Sequence, residues 1–200
     1  SRASLVGGMD LGFIPQPGGY STGKIIEKSK TKEIKILLAL GYDDTPLDSD
    51  AFKIYIGHHG DVNAPLADVI LPGAAFSEKT ALYTNTEGRV QKSHKAVEAP
   101  GEAKEDWKII RKLFDVLGLN CPYDNQSQIW DSLSQKFKCF EEIGNITKNP
   151  WIPLNVKDSK LSPIPFEPVI SNFYMNDSIS RHSPTMAACV QEIVIGSEAA

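Results

Sequence analysis

The run Ala67-Asp68-Val69-Ile70-Leu71-Pro72-Gly73 constrains this chain more than any other. Val69, Ile70 and Leu71 form an unbroken apolar stretch, as expected of a short strand covered on both faces. Pro72 cannot donate to a ladder and Gly73 frees the backbone, so the strand ends there and the chain is redirected into a polar loop. Two similar runs precede it. Ile34 to Leu40 ends at Gly41 and the turn-rich residues 43–46, and Phe52-Lys53-Ile54-Tyr55-Ile56 runs into Gly57-His58-His59-Gly60-Asp61. Three short strands joined by brief crossovers predict an α/β unit with a mostly parallel, Rossmann-like sheet. In such folds the polar loops at the carboxyl ends of strands are where ligands sit.

Composition narrows the function classes. The net charge of −4 over 200 residues offers no general attraction to nucleic acid. No apolar run approaches the length needed to span a bilayer. Cys121, Cys139 and Cys189 are odd in number, widely spaced and form no C-x-x-C, so they read as small buried hydrophobes rather than a disulfide framework or a metal site. The chain begins at Ser1, which fits removal of a targeting segment or a trimmed fragment.

Residues 1–20 are glycine- and proline-rich loop. Gly18, Gly23 and Lys24 satisfy half of a phosphate-binding G-x-x-x-x-G-K, but Ile25 stands where Ser or Thr would meet magnesium and no apolar strand precedes it, so a plain glycine loop is expected. Lys24, Lys28, Lys30, Lys32 and Lys35 read as a solvated face. Neighbouring side chains on a strand point to opposite faces, so His58 and His59 are expected to be hydrogen-bonded loop histidines, poorly placed to share a metal.

Pro100-Gly101 introduces a helix over residues 102–117, with Trp107, Ile110, Phe114 and Leu117 on one face, and Gly118 stops it. Trp107 reads as core. Ile129, Trp130, Leu133 and Phe137 predict another helix. Pro150, Pro153, Pro163, Pro165 and Pro168 predict an extended stretch. Ser183 as N-cap and Pro184 at the first helical position open a last helix with Met186, Cys189, Val190 and Ile193 on one face. The expected division is residues 1–120 as an α/β portion and residues 121–200 as a helical and extended docking tail.

The text Ala-Asp-Val-Ile-Leu-Pro-Gly-Ala-Ala-Phe-Ser-Glu-Lys from Ala67 to Lys79, followed by Tyr-Thr-Asn-Thr-Glu-Gly-Arg-Val-Gln from Tyr83 to Gln91, resembles the molybdopterin oxidoreductase signature, which the large (75 kDa-type) iron–sulfur subunit of respiratory complex I shares. Residues 172–181 (Asn-Phe-Tyr-Met-Asn-Asp-Ser-Ile-Ser-Arg), leading to Ser183, Met186 and Cys189, are similar to that subunit's carboxyl-terminal signature. The resemblance implies the carboxyl-terminal part of this subunit, in the peripheral arm on the matrix side of the mitochondrial inner membrane. Its implied role is a structural one in electron transfer from NADH to ubiquinone. It implies no cluster on this chain, with FMN and iron–sulfur clusters carried by others, and as partners the amino-terminal, cluster-binding half of the same subunit and other peripheral-arm subunits. A split gene with a separately encoded amino-terminal half is the preferred expectation, ahead of a fragment. The sheet, with about three strands, is expected to be completed by that partner. The alternative is part of an active molybdopterin-dependent oxidoreductase. On that alternative Glu78, Lys79, Asn85, Glu87 and Arg89 are the pterin-loop candidates. Otherwise they form a loop-stabilising network left after a cofactor was lost.

Overall fold

The computed structural model describes residues 5–43, 45–146, 163–166, 170 and 172–196. Its centre is a three-stranded parallel sheet of β1 (Ile36–Leu40), β2 (Phe52–Gly57) and β3 (Val69–Pro72), in that spatial order. Ile36 pairs with Phe52 and Leu40 with Ile56, while Ile54 pairs with Val69 and Ile56 with Leu71. The α/β architecture expected from the three apolar runs is therefore present, with each strand within two residues of its expected bounds.

The register sorts the side chains. Leu37, Ala39 and Tyr55 lie on one face and are buried. Leu47 and Ala64 close over Ala39 and Tyr55, with Ile26, Tyr42 and Ala67 around them. Ile26 comes from α2 (Thr22–Lys30), the helix that carries the lysine-rich segment. Those lysines pair locally, Lys24 with Glu27, Lys28 with Glu33 and Lys30 with Asp48. On the other face Ile36, Leu38, Leu40, Phe52 and Val69 are exposed. Ile70 is exposed as well, so β3 departs from the expected strand covered on both faces. It is an edge strand among the described residues, and the face shared by Val69 and Ile36 is covered at Ile56, which is fully buried, but open over β1 and the start of β2 and β3.

Past β3 the polar loop leads to an antiparallel hairpin, β4 (Ala81–Thr84) and β5 (Val90–Ser93). Gly88 takes a φ of 84° in its turn, as the turn chemistry of Asn85 to Arg89 requires. The short helix α1 (Leu5–Asp10) lies against β4. A Cβ at Gly7 would sit 3.0 Å from the Thr84 hydroxyl, a close approach that a glycine eases.

The helix α3 (Asp106–Val116) begins four residues later than expected. Residues 100–104 instead turn back and bridge to the end of β3, with Lys104 N donating to Pro72 O (3.0 Å) and Ala74 N to Lys104 O (2.8 Å). Gly118 follows with a φ of 68°. The helix α4 (Gln126–Lys136) is capped by Asn125, whose side chain accepts from Gln128 N. The last helix, α5 (Pro184–Cys189), has Ser183 accepting from Met186 N as its cap, as expected. It then widens into π-helical turns over Val190–Ile195, so it is not the single α-helical face that the spacing of Met186 to Ile193 predicts. The extended stretch expected from Pro150 to Pro168 falls mostly outside the described residues. All three cysteines are free and half-buried.

Candidate functional site

Two places in the molecule gather polar side chains. The first lies at the carboxyl ends of β1 and β2, where α/β folds place ligands. Tyr55 is 1% exposed, and its hydroxyl donates to the buried Asp43 carboxylate. Burial, reinforced by Asp43, raises the Tyr55 pKa far above that of a free phenol. Asn63 is fully engaged. Its backbone N–H donates to Asp43 Oδ1 (3.3 Å), its Nδ2 to the carbonyls of Tyr42 (2.6 Å) and Thr45 (3.0 Å), and its Oδ1 accepts from Leu47 N (2.7 Å).

Into this loop cluster reaches a turn from far along the chain. Arg181 Nε donates to Asp61 Oδ2 at 2.5 Å, and Arg181 Nη2 donates to Asp43 O at 3.3 Å. His182, from the same turn, packs its ring 5.9 Å from that of His59. His58 and His59 do not point apart. Their Nδ1 atoms are 2.6 Å apart, with the rings edge to face. The strand ends at Gly57 and the two histidines occupy a bend, so strand alternation no longer applies to them. One Nδ1 donates and the other accepts, which places a single proton between them. Burial, then the neighbouring His59 and Lys79, holds His58 below the usual imidazole pKa. Among the described residues no group of three or more His, Cys, Asp or Glu side chains is arranged to hold a metal ion.

The second place is a cavity of about 410 Å³ between the β4–β5 hairpin, α1, α3 and α4. Trp107, Trp130, Ile129 and Leu133 line it, with Lys79 and Asp106 at its polar end. Lys79 Nζ is 2.5 Å from Asp106 Oδ2, and both side chains are largely withdrawn from solvent. Gln126 Nε2 donates to Thr80 O (2.7 Å) and ties α4 to the hairpin. Trp107 is not sealed core, because its Nε1 donates to Glu105 Oε2 (2.6 Å) on the cavity wall.

Of the five loop candidates, only Lys79 reaches this cavity. Glu78 turns back to accept from Ala75 N (2.9 Å). Asn85 is spent inside the hairpin turn, its Oδ1 accepting from Glu87 N and Arg89 N (3.0 Å each). Glu87 pairs with Arg89 at 3.6 Å, and Arg89 Nη1 donates to Gly144 O (2.8 Å). The hairpin strand between Lys79 and Asn85 is about 13 Å long at ordinary strand rise. Among the described residues the five therefore converge on no common volume. Sequence reasoning missed Asp106, Gln126 and Arg181, whose partners lie 27, 46 and 120 positions away.

A molybdopterin oxidoreductase family model matches residues 1–116. The chain belongs to that family. Residues 152–189 match a second model, the carboxyl-terminal region of the G subunit of NADH-ubiquinone oxidoreductase. Among the relatives of this family member is the NADH-quinone oxidoreductase G subunit of Rickettsia bellii, 42% identical over 96% of the chain and 27% of the relative. The NADH-ubiquinone oxidoreductase 75 kDa subunit of Reclinomonas americana is 41% identical over 94% of the chain and 27% of its own length. The mitochondrial 78 kDa subunit of Neurospora crassa is 38% identical over 94% of the chain and 25% of its length. The chain thus spans about a quarter of the curated relatives it matches. No helix among the described residues is long and apolar enough to cross a membrane.

Proposed function

We propose that this chain is the carboxyl-terminal structural section of the large iron–sulfur subunit of NADH–quinone oxidoreductase. It supports electron transfer from NADH to quinone in the peripheral arm, on the matrix side of the mitochondrial inner membrane. On this reading FMN and the clusters sit on other chains, and this section holds neither cluster nor active site. Its partners are the amino-terminal, cluster-binding portion of the same subunit and other peripheral-arm subunits. Residues 1–120 complete the α/β domain and residues 121–200 dock upon it.

The observation that carries a structural role is the closure of the strand ends. Where an α/β fold keeps a ligand, Arg181 from the second portion pairs with Asp61 of the first, Asp43 accepts from Tyr55 and from Asn63 N, and the Asn63 side chain is taken up by Tyr42, Thr45 and Leu47. A binding site needs polar groups left free for its ligand, whereas a brace needs them paired.

Native electrophoresis of detergent-solubilised membranes, with mass spectrometry of co-migrating chains, tests this. Migration in a very large particle beside flavin- and cluster-binding subunits is expected. Migration as a small species, or with a molybdenum protein, overturns it.

A further inference from the structure

The register puts Ile36, Leu38 and Leu40 of β1, Phe52, Ile54 and Ile56 of β2, and Val69 and Leu71 of β3 on one face, where Ile56 is fully buried, Ile54 and Leu71 are half-buried and the rest are exposed. Ile36, Leu38 and Leu40 are 63%, 52% and 51% exposed, although the opposite face of the same strand is buried. Parallel sheets are covered by helices on both faces, because each face carries apolar side chains that water does not tolerate in bulk. Here α3 stands only beside the carboxyl end of β3. Its Ile109, Leu113 and Val116 form, with Leu71 and Pro72, a groove of about 330 Å³, and Leu71 belongs to both the groove and the sheet face.

The rim of that groove is basic. Lys104, Lys108 and Lys112 line it against the single acid Glu102. Lys108 and Lys112 are one helical turn apart on α3. Their present partners, Glu105 at 3.2 Å and Asp115 at 3.7 Å, are close in sequence and make pairs that exchange cheaply.

We propose that this groove and the open part of that sheet face seat one amphipathic α-helix, with an apolar stripe on β1–β3 and an acidic flank against Lys104, Lys108 and Lys112. The helix is supplied by the amino-terminal remainder of the same subunit. The inference rests on the functional reading above and names the contact through which that partner docks. Three strands are about 10 Å across from β1 to β3, which is the width of a single helix. A second copy of this chain would bring lysines to lysines, so the charge of the rim selects an acidic partner. The relatives are about four times longer, and the match of residues 152–189 to a carboxyl-terminal model places the extra length ahead of the matched region.

The test places the photo-crosslinker benzoylphenylalanine at position 38, and separately at position 108, in the chain within the native assembly. Expected are cross-links from both positions to one helical segment of the amino-terminal portion, with acidic residues on the side reached from position 108. Cross-links to a second copy, to a different subunit or to lipid, or none at all, overturn the proposal. If the chain still migrates in the large particle, such a result overturns this contact and leaves the functional reading standing. If the chain is absent from the particle, both fall. As a second measurement, Lys108→Glu with Lys112→Glu alters only the rim. Retention of the amino-terminal portion through a salt wash should drop about tenfold. Unchanged retention overturns the acidic flank.

Discussion

Arg181 donates its Nε to Asp61 at 2.5 Å across 120 positions of chain, and both side chains are more than two-thirds withdrawn from solvent. This pair and the Arg181 contact to Asp43 O hold the turn before α5 on the strand-end loop.

Arg181→Ala leaves the Asp61 carboxylate half-buried without its cation, at a cost of about 1–3 kcal/mol. Hydrogen exchange in the native assembly should show amides 177–183 losing protection while β2 keeps its own. Arg181→Lys retains the charge but not the two-pronged donation, and should fall between. Equal loss of protection throughout the sheet would mean that the pair does not act locally.

Gly57→Ala is predicted to be among the most damaging small substitutions. A Cβ there would lie 2.1 Å from Tyr55 Oη and 2.3 Å from Cζ, and the ring is too deeply buried to move aside. Overpacking of this kind costs about 1–3 kcal/mol or more. Thermal melts should show a clear fall in Tm. Tyr55→Phe on the Gly57→Ala background should not restore it, because the ring carbon still collides.

Asp106→Asn removes the carboxylate facing Lys79 at the polar end of the cavity. The ammonium is then left in a partly dry site, with a loss of about 1–2 kcal/mol. Lys79→Met in the same background removes the stranded charge and should recover part of that loss. A double-mutant cycle on Tm measures the coupling.

His58 makes stability depend on pH. Its folded pKa lies below the ordinary 6.5, from burial first and then from His59 and Lys79, with Asp106 and Asp43 opposing. The unfolded state therefore binds the proton more readily. Its contribution is intact above about pH 6.5 and is lost as pH falls through the depressed value. His58→Gln should flatten the change in Tm between about pH 7.5 and 5.5. An unaltered slope would assign that dependence to other groups.

Much of this was legible because local chemistry agreed with the fold. The apolar runs ending at Gly41, Gly57 and Pro72 marked the strands, and Ser183-Pro184 and Gly118 marked helix ends. The β4–β5 hairpin was not. Its strands are four residues each and half polar, so only the Asn85–Arg89 turn announced it. His58 and His59 were placed by an alternation that holds inside a strand and stops at its last residue. β3 was expected to be covered on both faces because its residues are apolar, and apolarity records what a face requires, not whether its cover lies in the same chain. Of the loop candidates, the turn role of Asn85 followed from its residue type. The Lys79–Asp106 and Arg181–Asp61 pairs depend on closures that no spacing encodes.

The outer edge of β1 has a consequence in time. Ile36-Leu37-Leu38-Ala39-Leu40 is five apolar residues without a charge or proline, on a strand with one neighbour among the described residues. Such an edge pairs with whatever extended chain reaches it first, including another newborn copy. The longer that edge stays uncovered after synthesis, the greater the exposure of the chain to aggregation.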